Sequence, residues 1–220
     1  MRMRRKEWAH RELAVCPYYI KEPTQYRCRW AEQFVRRQPL HLELGCGKGG
    51  FISQLASANA QTNYLAIDIK TEVMGEARRK CQAAYEAVGR PIDNLKIMPQ
   101  EIQVIEKLLA PEDTVERIYI NFPNPWPRGK HKKRRLTHTR QLVKYRQFLA
   151  PGAEIRFKTD DDDLFEESQL YFKTAGFEIT YLTRDLHHSD YTENIVTEHE
   201  QMFAQQGIPI KFCIAKTPLW

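Results

Sequence analysis

Where a strand-like stretch at Leu40–Leu44 meets a helically spaced one at 49–58, the chain reads Glu43-Leu44-Gly45-Cys46-Gly47-Lys48-Gly49-Gly50, and no other feature limits the fold so tightly. Glycines between a strand and a helix let the backbone take positive φ and come close to a ligand. The strand–loop–helix rhythm then continues. A second strand at 64–67 closes on Asp68, and Thr71 can cap a helix in which Val73, Ala77, Cys81, Ala84 and Val88 recur before Gly89-Arg90-Pro91 stops it. A third strand at 95–98 leads to a short helix around Ile102, Ile105 and Leu109, and a fourth strand spans 117–122. The spacing predicts a helix over 139–149 ending at Pro151-Gly152, a strand over 153–158, a helix over 161–175, and two last strands at 177–183 and 209–216. This is the alternation of a doubly wound α/β domain. The first 38 residues lack it and interleave Trp8, Tyr18, Tyr19, Tyr26 and Trp30 with arginines. They read as a partly ordered basic and aromatic extension ahead of a single domain at 39–220.

The glycine loop is chemically ambiguous. Gly45, Gly47 and Gly50 fit the dinucleotide pattern G-x-G-x-x-G, whereas Gly45, Gly47 and Gly49 fit the G-x-G-x-G of S-adenosylmethionine enzymes. Asp68 suits both, because a carboxylate at the end of the next strand can accept both hydroxyls of an adenosine ribose. Glu43 favours S-adenosylmethionine: it would repel a pyrophosphate and attract the cationic methionine end of the methyl donor. The chain after residue 150 is also too short for a separate dehydrogenase substrate domain. Its two last strands suit the closing antiparallel hairpin of a Rossmann-like, class I methyltransferase sheet of seven mostly parallel strands.

A second constellation points to the substrate. Asn121-Phe122-Pro123-Asn124-Pro125-Trp126-Pro127 ends the fourth strand in a proline-stiffened turn, and six cations follow within the eight residues 128–135. Proline removes backbone freedom before binding, so such a turn can hold a planar ring in one pose. The adjacent cations suit a polyphosphate. Residues 1–37 hold ten Lys/Arg against four acids, and residues 117–146 hold ten against none. Of 34 bases and 28 acids, fourteen and twenty-four then remain elsewhere, so two basic segments sit on an acidic remainder. The five cysteines (Cys16, Cys28, Cys46, Cys81, Cys213) are odd in number and form no Cys-x-x-Cys pair. That points to a reducing cytoplasm and away from disulfides and zinc. No apolar run approaches a membrane span. His187-His188 is too sparse a pattern for a metal site, and none is expected.

Taken in order, Met-Arg-Met-Arg-x-Lys-x-Trp at the start, Glu43-Leu-Gly-x-Gly-Lys-Gly, the Asn-Phe-Pro-x-Pro-Trp-Pro turn with its basic tail, Phe157-Lys158-Thr159-Asp160 and Thr197-Glu198-His199-Glu200 resemble the bacterial tRNA (guanine-N7)-methyltransferases over nearly the whole chain. The resemblance implies methylation of a variable-loop guanosine with S-adenosylmethionine. It implies donor contacts from Glu43, Asp68 and Glu101 beside Gly45 and Gly47, and places Asn124 at the reacting position, also in reach of the donor. Arg128 then falls at a substrate-binding basic position, and Lys130, His131, Lys132, Lys133, Arg134 and Arg135 on the RNA. Asp160, Thr197, Glu198, His199 and Glu200 match the guanosine-binding positions.

The chain departs from that pattern in having Asn124 where the family usually has Asp. Guanine N7 is an unprotonated ring nitrogen with a lone pair, so no base need remove a proton before it attacks a methyl group. Alignment and stabilisation of the cationic product then dominate, and an amide in place of a carboxylate predicts slower turnover, by roughly tenfold to a hundredfold. Guanine N1–H and its exocyclic amine are donors, so Asp160, Glu198 and Glu200 are the acceptors expected to read them. Asp161, Asp162 and Asp163 read instead as helix-start residues. An exocyclic-amine methyltransferase, whose sites use Asn-Pro-Pro-aromatic, and a non-catalytic RNA-binding relative stay open at this point, as do monomer and homodimer.

Overall fold

A computed structural model describes residues 6–219, so the Met-Arg-Met-Arg part of the opening motif lies outside the described residues. The strands are β1 (Leu40–Leu44), β2 (Asn63–Asp68), β3 (Leu95–Pro99), β4 (Val115–Asn121), β5 (Leu149–Thr159), β6 (Glu178–Thr183) and β7 (Lys211–Lys216). They form one seven-stranded sheet in the order β3-β2-β1-β4-β5-β7-β6. β2 pairs parallel with both β1 and β3, and β4 pairs parallel with β5. β7 runs antiparallel to both β5 and β6, the closing hairpin expected. The helices are α1 (Glu7–Ala14), α2 (Gly50–Ala58), α3 (Thr71–Ala87), α4 (Thr139–Tyr145), α5 (Asp162–Thr174) and α6 (Glu198–Gln205). The chain divides into two compact units, Met1–Asp113 and Thr114–Trp220.

In the first unit every residue of β1 is buried, as a strand covered on both faces requires. α2 and α1 both pack on α3. Gly75 of α3 makes the second contact possible, since a Cβ there would lie 2.4 Å from the Cβ of Ala9. Among the described residues before β1, Ala9, Leu13 and Trp30 are buried in this unit. Trp30 is fully buried and donates its indole N–H to the Leu108 carbonyl at 2.9 Å. The Asp113 carboxylate accepts the backbone N–H groups of Cys28, Trp30 and Ala110. Tyr18 and Ile20 bond to both sides of Ile97 and cover the edge of β3. Lys70, not Thr71, is the N-cap residue of α3, because Asp68 draws the Lys70 N–H into the loop at 2.9 Å.

In the second unit, Phe165 and Phe172 of α5 pack on Phe157 of β5. Leu186, Ile210, Phe212 and Ile214 form another buried cluster, with Phe122, Tyr181, Tyr191 and Phe203 around it. One sequence expectation fails here. α4 stops at Tyr145, and Pro151-Gly152 lies inside β5 instead of ending a helix. The Val115 N–H bonds the Phe148 carbonyl at 2.8 Å, so pairing with β4 claims this stretch for the sheet. A register irregularity between Val115 and Arg117 absorbs the proline and the glycine, whose φ is 73°.

Candidate active site

The first unit gathers its chemistry at the carboxyl ends of β1, β2 and β3. The Ile67 carbonyl accepts the N–H groups of Gly45 and Cys46 at 2.8 and 3.0 Å, which pins the glycine loop to β2. Gly45, Gly47 and Gly49 have φ of 83°, 51° and 76°, but the last two are glycine for different reasons. A Cβ on Gly49 would stand 2.8 Å from the Cα of Ala77 in α3, whereas one on Gly47 would meet nothing within 4 Å. The backbone at Gly47 therefore faces open space, the condition for close approach of a ligand. Asp68 Oδ2 accepts the Gly47 N–H at 3.0 Å and Oδ1 accepts the Lys70 N–H at 2.9 Å. A carboxylate has about four acceptor positions, so both oxygens keep capacity for hydroxyl donors. Glu43 is 2% exposed, and Glu101 is exposed just beyond β3. Burial first, then the Glu43 and Asp68 carboxylates, push the Cys46 thiol well above the ordinary 9.0.

In the second unit the chain leaves β4 at Asn121 and turns sharply. Phe122 and Trp126 adopt positive φ, 49° and 42°, conformations that cost non-glycine residues on the order of 1–3 kcal/mol each and persist where surroundings enforce them. The Phe122 N–H bonds the Lys158 carbonyl at 2.9 Å. Asn124, exposed at the centre of the turn, accepts the Trp126 N–H on Oδ1 at 3.0 Å. The Trp126 ring lies 5.3 Å from the Arg134 guanidinium and 5.8 Å from His131.

The basic run forms a 3-10 turn over Gly129–Arg134, and its members do different jobs. Arg128, Lys130, Lys133 and Arg134 are exposed. Lys132 is ion-paired with Glu167. Arg135 is 1% exposed, donating Nε to the Pro125 carbonyl at 2.7 Å and Nη1 to Glu167 at 2.9 Å. The RNA-facing expectation is therefore corrected for Arg135, whose side chain has no open edge for a phosphate, and weakened for Lys132. Burial would lift the Glu167 carboxyl, but hydrogen bonds from Lys132 and Tyr171 and the Arg135 charge hold it below its ordinary 4.5.

The acidic positions also divide. Asp160 is half-buried just beyond β5, and its backbone carbonyl accepts from Lys211 Nζ at 2.9 Å. Asp161 caps α5, accepting the Leu164 N–H at 2.6 Å. Thr197 and Glu200 form a reciprocal capping box at the start of α6. Glu200 is fully buried. It accepts from Lys158 Nζ at 2.8 Å, His187 Nε2 at 2.8 Å and Asn194 Nδ2 at 2.6 Å, besides the Thr197 N–H. A carboxylate so occupied does not present an edge to guanine, and that expectation is corrected too. Its pKa follows the same contacts: burial raises it, but the Lys158 charge and the three side-chain hydrogen bonds outweigh this and hold it below 4.5. Glu198 and His199 are exposed, and the His199 ring stacks on Phe122 at 6.0 Å and 21°. Phe122 thus joins the Asn124 turn to the start of α6.

Comparison with known proteins gives this geometry its relatives. A family model described as "Putative methyltransferase" matches residues 37–213. The tRNA (guanine-N(7)-)-methyltransferase of Clostridium perfringens (strain 13 / Type A) is 58% identical over 98% of this chain and 99% of its own length. That of Acetivibrio thermocellus is 50% identical over 98% and 99%. The chain belongs to the tRNA (guanine-N7)-methyltransferase family. Among solved structures, the 16S rRNA methyltransferase KamB covers 82% of this chain and 88% of its own at a TM-score of 0.58 and 14% identity. An antibiotic-related methyltransferase covers the same shares at 0.57 and 17%. At such identities these two show the fold alone, a methyltransferase sheet. Sequence reasoning missed the partners that bury two of this methyltransferase's candidate residues: Lys158, His187 and Asn194 around Glu200, and Glu167 beside Arg135. Lys158 lay inside the Phe-Lys-Thr-Asp motif, the one available signal. Glu167 gave none, being one more acid on a helix surface.

Proposed function

We propose that this methyltransferase transfers the methyl group of S-adenosylmethionine to N7 of a guanosine in the variable loop of tRNA, in the cytoplasm, through a domain at 39–220 preceded by a basic segment at 1–38. The observation that carries the reading is the strained, doubly anchored turn bearing Asn124 at the end of β4, in a chain whose relatives are named tRNA (guanine-N(7)-)-methyltransferase. The glycine loop fits the donor. Gly47 opens on free space, Gly45 sits in the same loop, and Asp68 keeps acceptor capacity for ribose hydroxyls. Glu43 would face the cationic end of the donor, and Glu101 would supply a third acidic contact.

The donor supplies an electrophilic methyl on a sulfonium. Guanine N7 would attack that methyl with its own lone pair while the sulfur–methyl bond breaks and its electron pair stays on sulfur as a neutral thioether, so no residue of this chain need act as a base. Asn124 holds position beside the ring, and its Oδ1 keeps a second lone pair for the developing positive charge. Asp160 and Glu198 are the carboxylates left to accept N1–H and the exocyclic amine. The exposed Arg128, Lys130, Lys133 and Arg134, with His131, take phosphates.

The test is transfer of labelled methyl to unmodified tRNA, followed by borohydride–aniline cleavage, which marks N7-methylguanosine. Cleavage at one variable-loop guanosine is the expected result. Label on an exocyclic amine, or no label despite donor and tRNA binding, would overturn the proposal.

A further inference from the structure

Two positive-φ residues, Phe122 and Trp126, bracket Asn124, so something must hold the turn in that conformation. On its outer side the contacts come from exposed groups: Asn124 itself accepting from Trp126, and Arg134 over the indole. The inner side is different. The buried Arg135 guanidinium donates from one edge to the Pro125 carbonyl, next to Asn124, and from another to Glu167 on α5. Glu167 also accepts from Tyr171 Oη at 2.7 Å, one helical turn on. A buried Thr137–Ser168 hydroxyl pair at 2.6 Å adds a second link between the same segments. α5 is itself fixed by its Asp161 cap and by its phenylalanines against Phe157. Only a planar fork can serve a carbonyl and a carboxylate at once in fixed directions; a lysine ammonium is a single point charge on a flexible stem.

We propose that Arg135 and Glu167 are positioning residues for methyl transfer: through Pro125 they carry the rigidity of α5 into the turn and hold Asn124 in its reacting pose. The inference rests on the reading of that turn as the reacting site. It divides the basic run into an outward part that meets RNA and one inward residue that serves the reaction geometry, although Arg134 and Arg135 are neighbours in sequence.

The test compares the full chain with Glu167→Gln, Glu167→Ala, Arg135→Lys and Lys133→Ala. Three quantities are measured: single-turnover N7 methylation at saturating tRNA and donor, the salt dependence of tRNA affinity, and Tm. Misplacing a reacting group by about 1 Å can cost up to about a hundredfold in rate. Glu167→Ala and Arg135→Lys should therefore slow the saturated rate by about tenfold, Glu167→Gln by less because it keeps an acceptor, all without flattening the salt slope, since the Glu167 variants release Lys132 from its ion pair. Lys133→Ala, which removes a proposed phosphate contact, should flatten the slope. Wild-type rate in Glu167→Ala, or a flattened slope with full saturated rate in Arg135→Lys, overturns the positioning role. If Arg135→Lys does not fold, the two Glu167 variants decide. A wild-type protein that moves no methyl to N7 overturns the functional reading and this inference with it. An active wild type with unaffected variants overturns the inference alone.

Discussion

At position 124 the difference between amide and carboxylate is a single charge. Asp would keep the bond from the Trp126 N–H and, on the proposed reading of the turn, add a negative charge where the base becomes cationic. Asn124→Asp should raise single-turnover methylation by roughly tenfold; an unchanged or slower rate would show that the surroundings have adapted to the amide. The glycines allow a sharper contrast. Gly47→Ala meets open space and carries only the strain of a positive φ, about 1–3 kcal/mol, so Tm should fall modestly while donor affinity falls. Gly49→Ala brings the same strain and a 2.8 Å approach to the α3 backbone, and should lower Tm clearly. Thermal melts with donor titrations of both variants check this, and equal Tm losses would contradict it.

Among the elements, the start of α6 depends on charge state. Glu200 has its pKa held below 4.5 by Lys158 and its other donors. A depressed carboxylate stabilises the fold above its unfolded pKa, and that contribution disappears as pH falls through the folded value. Tm should therefore drop on acidification below about 4.5, and Glu200→Gln should remove part of that dependence; identical profiles would refute the assignment. Thr197→Ala removes the other half of the capping box and should cost about 1 kcal/mol by denaturant unfolding. These elements also show what could be read in advance. β2 was legible because its centre, 64–67, is a run of apolar residues suited to burial on both faces, and the glycine loop that ends β1 was legible because its backbone needs glycine. The end of α4 was not, because β4 claims Phe148 across the chain and local spacing carries no trace of that partner. Glu200 and Arg135 were seen as charges, but the donors and acceptors that bury them lie up to 42 residues away in sequence, so their direction was hidden.

For the molecule as a whole, the net charge of +6 understates the field that RNA meets, since the basic residues concentrate in two segments. Replacing Lys130, Lys133 and Arg134 together by alanine should reduce the slope of log affinity against log salt by about 2–3, since each phosphate left without its cation takes away roughly 0.7–0.9. Donor affinity should stay unchanged in the same protein, and an intact slope would place the RNA elsewhere. The boundary at Asp113/Thr114 bears on a different stage of the protein's life. Both compact units are continuous in sequence, and domains tend to fold in the order they are synthesised. A ribosome therefore completes the glycine loop and its Asp68 partner before it makes the turn bearing Asn124, and the half assigned to the methyl donor can begin to collapse while the half assigned to guanine is still being translated.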